Sequence, residues 1–368
     1  MNVIVKAAEY VRVEGDHWEV EVAEDSEVPS TLEEHHVRIR VKACGLTQQD
    51  FEVVSNIHRS KARLPLGHEI SGVIKEVGPN ANLFNVGDEV VGLLPLNWPH
   101  SGCAEECVAP EYCLVAKPGA VSHVDAAGCV SGGVRAYTAL HYAAHVCGGE
   151  TVLVCNGSSP EGIIAIQLAQ LWNARVLATA STHEEAVFLE SHRPPLAQVI
   201  EVGKYRRSLV DVCLEETGGL GIDCVLDCAS SSIDLSSGAG RMSTPSSTPS
   251  SPTPSRQGGQ PSLHEFFSCL AVGGRFVTAD RTLQLDPPHS DLLYMKGGSV
   301  CFLNEHTWLL SSGQQGRYMH MLSDLVEKVN TKKINPSIHH TVELANVPQA
   351  FKQLSDCVIG KVVMRMAD

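Results

Sequence analysis

The chain has 368 residues, with 28 Lys and Arg against 42 Asp and Glu, a net charge of −14. That length argues for two domains, and an acidic balance with no basic run disfavours direct binding to nucleic acid or an anionic membrane, because phosphate binding needs concentrated Lys and Arg. Hydrophobic residues make up 43% and charged residues 19%, the composition of a soluble globular protein with a sizeable core.

Met1 to Tyr10 carries Lys6 and Glu9 and no long apolar core, so it does not read as a signal peptide. No stretch approaches the ~18 apolar residues of a membrane helix. Thirteen cysteines without a secretion signal read as reduced, mostly buried thiols in the cytoplasm.

The first third is strand-rich. Val3–Ala8, Trp18–Val22, Val37–Ala43, Ile70–Val77, Glu89–Leu93 and Glu105–Ala109 suit strands separated by Gly, Pro or Asn turns, as in a compact β-rich domain over 1–122. From about His123 helices and strands alternate. Strands are expected at Thr151–Cys155, Arg175–Ala180, Ala197–Val202 and Asp223–Cys228. Helices are expected at Ile163–Trp172, Glu184–Ser191 and Ser208–Thr217. This alternation predicts an α/β fold with a doubly wound parallel sheet, over 123–330. Arg275–Ala279 and Val300–Leu303 extend the sheet, and Met319–Asn330 is a helix. The segment 331–368 ends in a strand, Lys361–Met366, that returns to the first domain.

Ser230 to Ser262 does not fit a compact domain. Met242 to Ser255 is almost wholly Ser, Thr and Pro, and has too few apolar residues to offset the entropy of ordering. It reads as a disordered insertion, either a tolerated one or a regulatory loop phosphorylated at its Ser-Pro and Thr-Pro pairs.

The segment Val152-Leu153-Val154-Cys155-Asn156-Gly157-Ser158-Ser159-Pro160-Glu161-Gly162-Ile163 has the frame of a dinucleotide-binding strand, turn and helix. Such a turn uses glycines so that backbone N–H groups can approach a pyrophosphate at the helix N-terminus. Gly157 and Gly162 are present, and Ser158 and Ser159 offer further donors. Pro160 has no N–H, and Glu161 brings a negative charge towards an anionic ligand. Like charges ~4 Å apart cost on the order of 1–4 kcal/mol.

Several further motifs fall in one order. They are Gly67-His68-Glu69, Val86-Gly87-Asp88-Glu89-Val90, Cys103-Ala104-Glu105-Glu106-Cys107, the block Gly133 to Leu140, the turn above, Gly218 to Asp227, and Gly360-Lys361-Val362-Val363. This order resembles the medium-chain dehydrogenase/reductase superfamily over nearly the whole chain. With no long structural-zinc insertion, it is nearest the zeta-crystallin-type quinone reductases. Arg135 to Leu140, Glu215 to Gly221, Leu285-Asp286-Pro287-Pro288 and Gln315-Gly316 resemble the quinone oxidoreductase-like subgroup of that branch. The resemblance implies a GroES-like domain followed by a Rossmann-type domain, and metal-free hydride transfer from NADPH to quinones or activated alkenes.

Residue by residue, the resemblance gives the following. The three catalytic-zinc positions of the alcohol dehydrogenases fall on Thr47, His68 and Ser131, so one ligand of three is kept and no metal is expected. Cys103, Cys107 and Cys113 read as structural thiols. Gly157, Ser158, Ser159 and Gly162 would hold the pyrophosphate. Ser181 stands where NAD enzymes carry an acid, which favours NADPH, with His183 the one nearby group for a 2′-phosphate and Glu184 and Glu185 opposing it. Thr47 and Glu52 replace the Asn and Tyr of active reductases. Arg135 replaces a usual Thr near the nicotinamide and, with Tyr137, is the candidate catalytic pair.

Two functional readings stay open. One is an NADPH-dependent quinone or enone reductase. The other is a noncatalytic subunit of a cytoplasmic, early-endosomal adaptor assembly linked to a Rab GTPase and mRNA, which the resemblance also implies. Val300–Leu303 suits edge pairing in a homodimer, or an interior strand.

Overall fold

A computed structural model of the chain describes residues 2–14, 17–48, 51–58, 60–203, 208–228, 261–357 and 359–367. The Ser/Pro-rich insertion lies outside them, apart from Pro261 and Ser262. The described residues form two compact units, one of 2–134 and 305–367, the other of 135–228 and 261–304. None of the helices described is long and apolar enough to cross a membrane.

The first unit is β-rich. Its larger sheet runs Ile338–Val342, Lys361–Arg365, His36–Gly45, Glu69–Val77, Glu89–Leu93 and Leu114–Ala116, and Glu106–Pro110 also pairs with His36–Gly45. A smaller sheet joins His17–Pro29, Asn2–Glu14 and Arg63–Pro65. β-Branched residues supply the core, with Ile39, Ile70 and Ile74 fully buried beside Leu64 and Leu66. Tyr10 packs against Phe51 and Phe351 at ring distances of 4.7 and 5.5 Å.

The closing strand is held by more than its ladder. Val363, Met364 and Arg365 pair antiparallel with Gly45, Cys44 and Ala43. Lys361 Nζ lies 2.6 Å from Glu69 Oε1, and both side chains are buried. A buried charge persists only when paired and hydrogen-bonded.

The helix expected at Met319–Asn330 runs Gln315–Asn330, and it groups with the first unit and not with 123–330. Tyr318 explains why. Its ring is fully buried, its hydroxyl donates to the Cys113 carbonyl at 3.0 Å, and it accepts from the Leu93 N–H at 2.8 Å. One phenol thus satisfies two backbone groups at the ends of two strands.

The second unit is a six-stranded parallel sheet in the order Gln198–Glu201, Arg175–Ala180, Thr151–Cys155, Ile222–Asp227, Leu270–Thr278, Ser299–Phe302. In order of appearance these are the third, second, first, fourth, fifth and sixth strands. That is the Rossmann order, with the direction of winding reversing beside Thr151–Cys155. A parallel sheet is covered on both faces, so its strands are apolar throughout. Val152 to Cys155 and Val176 to Ala180 are accordingly all buried. The helix Pro160–Leu171 is buried from Glu161 to Ala169. Phe266 and Phe267 flank Phe276 at 5.6 and 5.3 Å.

The Val300–Leu303 segment forms the strand Ser299–Phe302. Among the described residues it is an edge, paired only with Leu270–Thr278, and Phe302 is 62% exposed.

Tyr318→Phe would leave the Leu93 N–H and the Cys113 carbonyl unsatisfied in the core. The expected loss is about 1–3 kcal/mol in urea unfolding. Burial also pushes the Tyr318 phenol well above its usual range, so folding favours the protonated form. That contribution is complete below the unfolded value of 10.0 and is lost as pH rises past it, which the Phe variant would not show.

Candidate functional site

The turn at the reversal of strand order is built by short-range rules. Asn156 leaves the Thr151–Cys155 strand in the left-handed region, φ 57°, a conformation Asn tolerates. Ser159 is the N-cap of the next helix, and its hydroxyl accepts from the Gly162 N–H at 3.0 Å. The helix was expected from Ile163, with Pro160 inside the loop. It begins at Pro160 instead. At this first position a missing N–H breaks no helical bond, and the fixed φ suits the helix. Pro160 therefore starts the helix and does not distort the turn.

The two glycines serve different ends. A Cβ on Gly162 would meet the Asn156 carbonyl at 2.6 Å and Gly157 backbone atoms at 2.9 Å, so only glycine lets the helix abut the turn. A Cβ on Gly157 would meet Ala178 of the neighbouring strand at 2.8 Å. Much of the turn's own polarity is used locally. Asn156 and Gly157 N–H groups donate to Thr179 Oγ1 and O at 2.9 and 3.0 Å. Ser159 N–H donates to Asn156 O at 3.1 Å and Ile163 N–H to Ser159 O at 2.9 Å. Ser158 is fully buried.

Charge gathers at the same place. Glu161, in the first helical turn, and Asp227, at the end of the fourth strand, are buried. Burial pushes the Cys228 thiol well up; Glu161 and Asp227 add to the rise and Arg135 opposes it. Arg135, half-buried in the last turn of the helix His123–Tyr137, thus acts electrostatically on the end of the fourth strand. That helix, and the π-helical Thr138–Ala143 after it, were not among the elements expected.

Tyr137 goes elsewhere. Its ring packs edge-on against Trp172 at 5.2 Å and His141 at 6.1 Å. Trp172 caps the C-terminus of the helix Pro160–Leu171, whose 12 residues put about 18 Å between it and the turn. Two residues apart on a helix are about 200° apart around it. Of the two, Arg135 acts electrostatically on Cys228 at the end of the fourth strand, and Tyr137 packs at the far end of the helix Pro160–Leu171.

At the end of the second strand, Ser181 is exposed and its N–H donates to Glu185 Oε2 at 2.8 Å. Thr182 caps the helix His183–Glu190 by accepting from the Glu185 N–H. Glu185 is 2% exposed, so its carboxylate is turned inward onto the turn. His183 is exposed and faces Glu201 at 3.3 Å.

The zinc-like positions lie in the first unit. Thr47 is half-buried, His68 and Ser131 are buried, and the Ser131 N–H points to Glu69 Oε2 at 3.4 Å. Glu69 is the residue paired with Lys361, so a fixed ammonium stands beside this set. The side chain of Glu52 lies outside the described residues. Cys103, Cys107 and Cys113 are buried, and burial raises the Cys107 and Cys113 thiols to about 12.

Strand order, glycine turn and capped helix define the second unit as Rossmann-type, and the first unit is β-rich. The GroES-like domain of alcohol dehydrogenases matches residues 33–148. Mouse quinone oxidoreductase-like protein 1 is 39% identical over 321 residues, covering 87% of this chain and 88% of its own. The chain belongs to the medium-chain dehydrogenase/reductase superfamily, in its quinone oxidoreductase-like branch. Solved structures share the fold at low identity. An alcohol dehydrogenase superfamily protein from Novosphingobium aromaticivorans has a TM-score of 0.78 at 21% identity, covering 99% of this chain and 100% of its own. A quinone oxidoreductase from Pseudomonas syringae has 0.76 at 20%, covering 98% and 100%.

Gly162→Ala forces backbone atoms apart and is expected to cost about 1–3 kcal/mol. Ser159→Ala removes only the cap and is expected to cost about 1 kcal/mol. Thermal unfolding of the two variants without ligand measures the difference.

Proposed function

We propose that this chain is a metal-free reductase of the quinone oxidoreductase type, using NADPH to reduce quinones or activated alkenes. The observation that supports this most is the intact turn at the reversal of strand order. Gly157 and Gly162 keep it narrow, Ser159 fixes the helix start, and Arg135 brings a cation to its edge. A bound nicotinamide cofactor would supply the hydride. The helix N-terminus carries a partial positive charge that favours a pyrophosphate, with Ser158 and Ser159 beside it. Arg135 offsets the charge of Glu161 and Asp227, and can stabilise an anionic ligand or a developing oxyanion. The preference for NADPH rests on Ser181, whose neighbouring acid Glu185 is turned inward, and on exposed His183. Metal independence rests on Thr47 and Ser131, which offer hydroxyls in place of thiolates, and on Lys361 beside Glu69.

A second reading is favoured by one observation. Several turn amides are already engaged, by Thr179 of the neighbouring strand or within the turn, and two buried carboxylates, Glu161 and Asp227, stand beside it. On that reading the chain is a noncatalytic subunit of a cytoplasmic, early-endosomal adaptor assembly. The exposed Ser299–Phe302 edge suits homodimer pairing under either reading.

Thermal shift with NADPH and NADH separates the two. A bound cofactor adds ~2.7 kcal/mol at about a hundredfold excess over Kd. The reductase reading expects a shift with NADPH, a smaller one with NADH, and at least tenfold weaker NADPH binding in Arg135→Ala. No shift with either nucleotide at millimolar concentration rejects the reductase and leaves the assembly subunit.

A further inference from the structure

Outside the turn Asn156–Gly162, one cluster of ligating side chains among the described residues has no part in the function above. His339, His340 and Cys357 lie in the first unit, with a ligand atom from each within 4.8 Å of the others. Adjacent residues of a regular strand point to opposite faces, so two consecutive histidines would ordinarily diverge. Here the strand Ile338–Val342 pairs Ile338 with Lys361 and His340 with Val362, which leaves His339 as an extra, bulged residue. A bulge re-aims side chains in this way. The two rings sit 5.0 Å apart. This strand ends the larger sheet, and both imidazoles are exposed.

Cys357 arrives from the other side of the same parallel pair. It follows the short helical turn Leu354–Asp356 and is half-buried, with its N–H on the Leu354 carbonyl. The two segments cross closely at Gly360, with φ 75°, where a Cβ would meet the Ser337 carbonyl at 2.6 Å. A side chain there would hold them apart.

We propose that His339, His340 and Cys357 form a surface site for a borderline-soft divalent metal ion, Zn2+ first, with a fourth position open to water or another ligand. Two imidazoles and a thiolate match the zinc donor set. Bonds of about 2.0 Å to nitrogen and 2.3 Å to sulfur would bring the donors to about 3.3–3.6 Å apart. That asks for side-chain rotation of the two exposed imidazoles and the half-buried thiol. Binding forms one metal–sulfur and two metal–nitrogen bonds, and releases the Cys357 thiol proton to solvent. The site shares no residue with Thr47, His68 and Ser131.

Cobalt(II) is the probe, added to the full, reduced chain. The expected result is saturation at one equivalent, with visible d–d bands, a near-ultraviolet thiolate-to-cobalt band, and displacement by Zn2+. Cys357→Ser should abolish the thiolate band, and His339→Ala and His340→Ala should each weaken binding at least tenfold. Cys147→Ser removes the one exposed thiol and should change nothing. Near-ultraviolet circular dichroism checks that each variant is folded. Absence of a thiolate band at saturating cobalt, its survival in Cys357→Ser, or its loss in Cys147→Ser overturns the proposal.

Discussion

The handedness of parallel crossovers is the constraint on which the second unit depends. Each strand–helix–strand connection is right-handed, so a sheet covered on both faces must reverse its winding somewhere. Here it reverses at Thr151–Cys155, whose neighbours are Arg175–Ala180 and Ile222–Asp227. Connections leave that central strand and its fourth-strand neighbour towards opposite faces. A gap results at their carboxyl ends, and Asn156–Gly162 and Cys228 stand there. The location of the candidate site is thus a property of topology before it is one of side chains.

What side chains add is partly at odds with the topology. The glycines, the serine cap and Pro160 at the first helical position all favour a narrow, well-formed turn. Glu161 and Asp227 put negative charge where an anionic ligand would rest, and Arg135 supplies one positive charge against them. Shape and electrostatics are separable here. A chain can keep the first for packing, since Gly157 is required by Ala178 and Gly162 by the turn, and vary the second.

The alternation of helix and strand was legible because buried parallel strands are continuous apolar runs. Arg175–Ala180 was bounded to the residue. The turn was legible through Gly157 and Gly162. Elements with weak apolar periods were not. The helix His123–Tyr137, rich in Ala and Gly, and the short strands Arg63–Pro65 and Ile338–Val342 carry little pattern of their own. Start signals were under-read as well. Ser-Ser-Pro-Glu is a capped helix start, and reading Pro160 as a loop residue missed it. Arg135 and Tyr137 were both candidates in sequence, and a helical wheel separates them by their two-residue spacing. No local pattern could have linked Glu69 to Lys361, 292 positions apart.

The two units also differ in how the chain writes them. The second draws on residues 135–304 alone, whereas the first draws on both sides of that stretch. Synthesis runs from the N-terminus, and domains form as their residues emerge. The Rossmann-type sheet can close while the β-rich unit still lacks the helix that carries Tyr318 and the strand that begins at Lys361. Until that strand arrives, Glu69 has no cation to accompany it into the interior, and the Leu93 and Cys113 backbone groups have no phenol. The unit that starts before the other is therefore the last to be finished.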